Sequence, residues 1–96
     1  MATRMATAQT RKAKDYMRKL CIHWSHKFAV TYDDSLGQID FGEQRTAELK
    51  VGAEELQVTV TAADDAQVDK LADIVAEHII RYAQKESLTF DWRAKP

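Results

Sequence analysis

Apolar residues recur along the chain with two different periods, and the change of period divides it into elements. Ala13, Tyr16, Met17, Leu20, Cys21 and Trp24, continued by Phe28, follow one another at three- and four-residue spacing. At about 100° per residue they form one stripe, with Arg11, Lys12, Lys14, Arg18 and Lys19 mostly outside it. This predicts a helix over 11–26 with Thr10 as its N-cap. From Phe28 the period falls to two: Phe28, Val30 and Tyr32, then Ile39 and Phe41, then Ala47, Leu49 and Val51, then Leu56, Val58, Val60 and Ala62 alternate with polar or small residues. Turn-forming stretches at Asp33–Gly37, Gly42–Gln44 and Gly52–Glu54 separate these runs, so four short strands form an antiparallel meander. The alternation leaves one face apolar and covered and the other polar and open.

A second helix starts after Asp64, which with Gln67 three residues on has the form of a capping box. Val68, Leu71, Ala72, Val75, Ile79 and Tyr82 form its stripe, while Arg81 and Lys85 suit the negative end of the helix dipole. Leu88, Phe90 and Trp92 alternate with Thr89, Asp91 and Arg93 and predict a last strand. Residues 1–9 read as a weak strand or a tail, and 94–96 as a tail. The fold class is therefore α+β, a single domain over 1–96 in the order (β)αββββαβ, with two helices on one face of a mainly antiparallel sheet. In a core this small, truncating Trp24 or Trp92 to Ala should cost about 3–5 kcal/mol.

At 96 residues, 45% hydrophobic and 30% charged, the chain has the composition of one small globular unit, which excludes collagen, coiled coil and disorder. The sequence offers no apolar run for a membrane span and no secretory signal. The single Cys allows no internal disulfide and suits a reducing cytoplasm. The net charge of −1 hides a polarised chain. Residues 1–30 carry seven basic residues against Asp15 alone, and residues 31–96 carry seven basic against fourteen acidic ones.

Three places can carry chemistry. The first is Cys21-Ile22-His23-Trp24-Ser25-His26. His23 and His26 are helix neighbours three apart, and imidazole is the commonest transition-metal ligand. A metal or haem site can draw on Cys21, His23, His26 and His78. However, Cys21 points about 160° from His23 on an ideal helix, and a structural zinc site would use every Cys and His in the chain. Packing the two helices side by side brings His78 toward Cys21 or His23. Cys21 on the apolar stripe is most simply a buried small hydrophobe. The second place is the basic helix, where Arg11, Lys12, Lys14, Arg18, Lys19 and Lys27 suit an anionic ligand or an acidic partner, or else form a solvated face. A sequence pI of about 6.3 argues against a dedicated nucleic-acid binder. The third is the open sheet face, with Thr31, Gln38, Asp40, Thr46, Glu48, Lys50, Gln57, Thr59, Thr61, Thr89, Asp91 and Arg93. It offers no aromatics for base stacking, and its alternatives are solvation or a homodimer contact. No Gly-rich phosphate loop, nucleophile elbow or nucleophile–base pair supports an enzyme, so a small enzyme of unknown reaction is the weakest of the readings.

At Tyr16-x-x-Lys19-Leu20-Cys21-x-His23-Trp24-x-His26-Lys27 the chain resembles a small bacterial family known as domain of unknown function 2218. Gly37-x-Ile39-x-Phe41, Val75-x-x-His78 and Glu86-x-Leu88-x-Phe90-x-Trp92 extend the resemblance over residues 7–93. Tyr82, where Phe is usual, and the polar Gln84-Lys85 depart from the pattern. The family has no established activity. The resemblance implies a bacterial, cytoplasmic accessory role in iron–siderophore metabolism, because similar domains occur beside siderophore-interacting flavoproteins. Such a flavoprotein or an anionic small ligand is the implied partner. No cofactor is firmly implied; a transition metal is the candidate.

Overall fold

The computed structural model describes residues 1–94. Its elements are β1 (Ala2–Gln9), α1 (Ala13–Trp24), β2 (Ala29–Tyr32), β3 (Leu36–Gly42), β4 (Arg45–Val51), β5 (Glu55–Ala62), α2 (Asp65–Tyr82) and β6 (Arg93–Ala94). All six strands join one antiparallel sheet in the order β2-β3-β4-β5-β1-β6. The expected α+β architecture is the observed one: α1 lies over β2, β3 and β4, and α2 over β5 and β1.

The central meander follows from its turns. The Asp33 carboxylate accepts the amide N–H groups of Ser35 and Leu36 at 2.8 and 2.9 Å and the Ser35 hydroxyl at 3.1 Å. These three donors hold the carboxyl below its ordinary range. Between β3 and β4 the chain turns through Gly42, Glu43 and Gln44, all with positive φ. Two left-handed residues at the tip match the primed turn that a twisted two-stranded hairpin needs.

Residues 1–9, open between strand and tail, form a full eight-residue strand. β1 pairs with β5 from Ala2 opposite Ala62 to Gln9 opposite Glu55. Its inward positions include Ala6 and Ala8, both buried, so the alternation is real but muted in size. The last strand is a correction. The backbone ladder covers only Arg93 and Ala94 against Met5 and Arg4, and 88–92 stay outside it. Thr89 and Asp91 are therefore not on the open sheet face. Leu88, Phe90 and Trp92 still pack on the core as half-buried side chains. The alternation reported which side chains turn inward, not which amides pair. Of the expected tail, Ala94 belongs to β6, and 95–96 lie outside the described residues.

The first helix is also shorter than 11–26. Thr10 does not cap it from the N-cap position, which Lys12 holds with no side-chain hydrogen bond. Instead the Thr10 hydroxyl accepts the Lys12 N–H at 3.0 Å. At the other end, Ser25–Lys27 form a turn, closed by the Lys27 and Phe28 amides donating to the Trp24 carbonyl. His26 therefore lies beyond the helix and is not an i, i+3 helical neighbour of His23. α1 seats closely on β3 at Gly37, where a Cβ would lie 2.7 Å from Cys21 Sγ. The core comprises the stripe of α1, the stripe of α2 and the inward residues of β3, β4 and β5.

Candidate functional site

Charge pairing decides which cations of the first thirty residues remain available. Arg4, on β1, clamps the first turn of α2, donating to Asp65 at 3.0 Å and Asp69 at 3.1 Å. Arg11 lies 3.7 Å from Glu54 and Lys14 lies 3.4 Å from Asp34. Among the described residues, Lys12, Arg18, Lys19 and Lys27 have no carboxylate within ion-pair distance and are exposed. So the polarised chain is partly neutralised internally, and the cations left over lie on α1 and the turn after it.

The structure then adds cations that the sequence had assigned only to helix-end chemistry. Near the start of α1 its neighbours on α2 are Arg81 and Tyr82, and near its end they are Leu71, Ile74 and His78, so the two helices are antiparallel. This sets the N-terminal end of α1 beside the C-terminal end of α2. A groove of about 420 Å³ there is lined by Lys12, Lys19, Arg81 and Lys85, with Tyr16, Tyr82, Gln84 and Asp15. Arg18 and Lys27 stand away from it. At its base, Tyr16 donates its phenol O–H to Glu86, and the Thr10 hydroxyl lies 3.0 Å from both oxygens of the same carboxylate. Burial, then the Glu86 hydrogen bond, push the Tyr16 phenol up to about 12. The Tyr16 bond, reinforced by Thr10 and Lys12, holds the Glu86 carboxyl down. A raised Tyr contributes stability that disappears as pH rises from 10 toward 12, and a lowered Glu contributes stability that disappears as pH falls below 4.5. The link is thus intact across neutral pH and anchors the chain after α2 to α1.

At the other end of the helix pair is an aromatic cleft of about 480 Å³, lined by His23, Trp24, Phe28, Phe41 and His78 among others. Trp24 packs edge-on against Phe41 with centroids 4.9 Å apart, and Phe28 packs edge-on against Phe41 at the same separation. His78 comes within 5.5 Å of His23 and 4.8 Å of Trp24, centroid to centroid. His26 and Lys27 line the same cleft. Of the four candidate ligands, therefore, three share a cleft and one does not. Cys21 is buried with Sγ 3.9 Å from Met17 Sδ, on the sheet side of α1, and desolvation pushes its thiol up to about 11. Among the described residues no three His, Cys, Asp or Glu side chains converge as a ready-made metal cage. Nor is any helix there long and apolar enough to cross a membrane.

Arg81, Lys85 and Glu86 are the residues that sequence reasoning missed as parts of a site. Their only signal was the cationic end of the second helix, which gains a second meaning once α1 lies antiparallel to it.

Comparison with curated proteins gives no match. Among solved structures, the NMR structure of PA4090 from Pseudomonas aeruginosa is similar, with a TM-score of 0.83 and 31% identity over 97% of this chain and 96% of that one. A family model matches residues 5–93, so the chain belongs to the family described as an uncharacterized protein conserved in bacteria, DUF2218.

Proposed function

We propose that this protein is a non-enzymatic binding module whose working surface is the basic groove between α1 and the C-terminal end of α2. The observation that carries this reading is the grouping of Lys12, Lys19, Arg81 and Lys85, none ion-paired among the described residues, around one groove that holds Asp15 on its wall and the hydrogen-bonded Glu86 at its base. Four cations against the carboxylates of Asp15 and Glu86 leave the concavity net positive, and such a focused field attracts anions. The positive N-terminal end of α1 and the negative C-terminal end of α2 meet here and oppose each other, so the side chains set the sign of the field. The groove volume of about 420 Å³ suits a small anionic ligand. The resemblance to domains found beside siderophore-interacting flavoproteins supports an accessory role in bacterial iron–siderophore metabolism. The ligand in that setting is an anionic ferric chelate, and an acidic face of the flavoprotein is the alternative occupant.

Calorimetric titration with ferric catecholate and ferric citrate complexes, and gel filtration with a siderophore-interacting flavoprotein, test the reading. Binding is expected to weaken as salt rises and to fall about tenfold or more in a Lys12→Glu, Lys85→Glu variant. A folded protein that binds none of these at low salt overturns it.

A further inference from the structure

The geometry points to a divalent transition-metal site on His23 and His78, at the opposite end of the helix pair from the basic groove. Three observations carry it. His78 Nδ1 lies 2.8 Å from the Ile74 carbonyl, which can only accept, so Nδ1 carries the proton. In the neutral ring this leaves the lone pair on Nε2, the orientation that a backbone carbonyl imposes on metal-binding histidines. Second, the two rings stand at the right separation. Imidazoles sharing one ion at metal–nitrogen lengths of about 2.0–2.1 Å place their centroids about 5–5.5 Å apart at tetrahedral to trigonal angles. The observed centroid distance is 5.5 Å, with the planes tilted by 42°. Third, no hydrogen bond among the described residues occupies either ring nitrogen of His23 or Nε2 of His78.

The pairing is fixed by helices rather than by a loop. His23 is in the last turn of α1 and His78 is well inside α2, and Trp24 and Phe41 wall the cleft beside them. Two imidazoles with no carboxylate or thiolate select the imidazole-preferring late first-row ions, Cu(II), Ni(II) and Zn(II), over Mg(II) and Ca(II). Two protein ligands leave the coordination sphere half built. Lys27 and Arg45 line the same cleft. They disfavour a bare cation and favour one whose remaining positions hold anions, so the ion bound here carries exogenous anionic ligands.

Trp24 supplies the readout, since its ring lies 4.8 Å from that of His78. Tag-free protein titrated with CuCl2 or NiCl2 is expected to lose tryptophan fluorescence with one-to-one stoichiometry, and MgCl2 is expected to have no effect. His23→Gln and His78→Gln should each weaken the quenching affinity about tenfold or more. Nitrogen NMR of the unaltered protein with ZnCl2 keeps the question open to a decision if either variant unfolds: the imidazole nitrogens of His23 and His78 should shift together. The proposal falls if both single variants quench like the parent, including the case in which His26→Gln alone loses the ion. It also falls if ZnCl2 leaves the two imidazoles unshifted.

Discussion

α2 opens with Asp64, whose carboxylate accepts the Gln67 amide at 2.8 Å, carries Asp65 in its first turn and ends with Arg81 in its last. α1 opens with Lys12, which makes no capping bond, and carries basic Arg11 and Lys14 at the same end against Asp15 alone. The second helix of the pair thus has both a cap and acid at its start, while the first lacks a side-chain cap, typically worth about 0.5–2 kcal/mol, and sets Lys14 beside Asp15 in its first turn. Its stability comes instead from burial: Ala13, Tyr16, Met17, Leu20, Cys21 and Trp24 are all in the core. α2 is stabilised by its own cap as well as by burial, and α1 rests on burial while Lys12 stands unpaired at its start and Arg11 and Lys14 reach carboxylates elsewhere in the chain.

The strongest way to break this comparison is to remove what holds α1 down. Trp24→Ala should cost about 3–5 kcal/mol in chemical denaturation, because Trp24 is only 6% exposed and walls the aromatic cleft. Trp92→Ala should cost clearly less, since Trp92 is half-buried and outside the sheet ladder; equal losses would show that the segment after α2 belongs to the core as firmly as α1. Next, Gly37→Ala forces a methyl to within 2.7 Å of Cys21 Sγ and should cost about 1–3 kcal/mol. Adding Cys21→Ala should recover part of that loss, a coupling readable from a double-mutant cycle. The smallest effects have opposite signs at the two helix starts. Asp64→Ala should destabilise by about 1 kcal/mol, whereas Lys12→Asp supplies the missing cap and should stabilise by about 1 kcal/mol. If the comparison is right, Lys12→Asp raises the thermal midpoint while weakening anion binding in the basic groove.

Much of the fold was legible because burial follows period. The stripe of α1, the four meander strands and the Asp64 cap were each carried by residues within a few positions of one another. β1 was not clear, because its inward positions hold the small Ala2, Ala6 and Ala8 and the charged Arg4, which give little apolar contrast. Its partner β5 lies more than forty residues away, a pairing that no local pattern encodes. The segment 88–92 misled in the opposite sense, since its inward side chains alternate like a strand without the amide pairing of one. For the candidate sites, the free cations of α1 were visible, and so was the approach of His78 to the first helix. Which end of α2 meets which end of α1 was not, and that alignment is what joins Arg81 and Lys85 to Lys12 and Lys19, and His78 to His23 rather than to Cys21.

The burial of the only thiol has a practical consequence. With no solvent contact and its thiol pushed up to about 11 by desolvation, Cys21 presents almost no thiolate at neutral pH, and slow alkylation of the folded protein is the expected outcome. Because Sγ packs against Gly37, reaction should require α1 to lift from β3. Its alkylation rate in native buffer is therefore a clock for that single opening event, and it times α1 separately from the unfolding of the sheet.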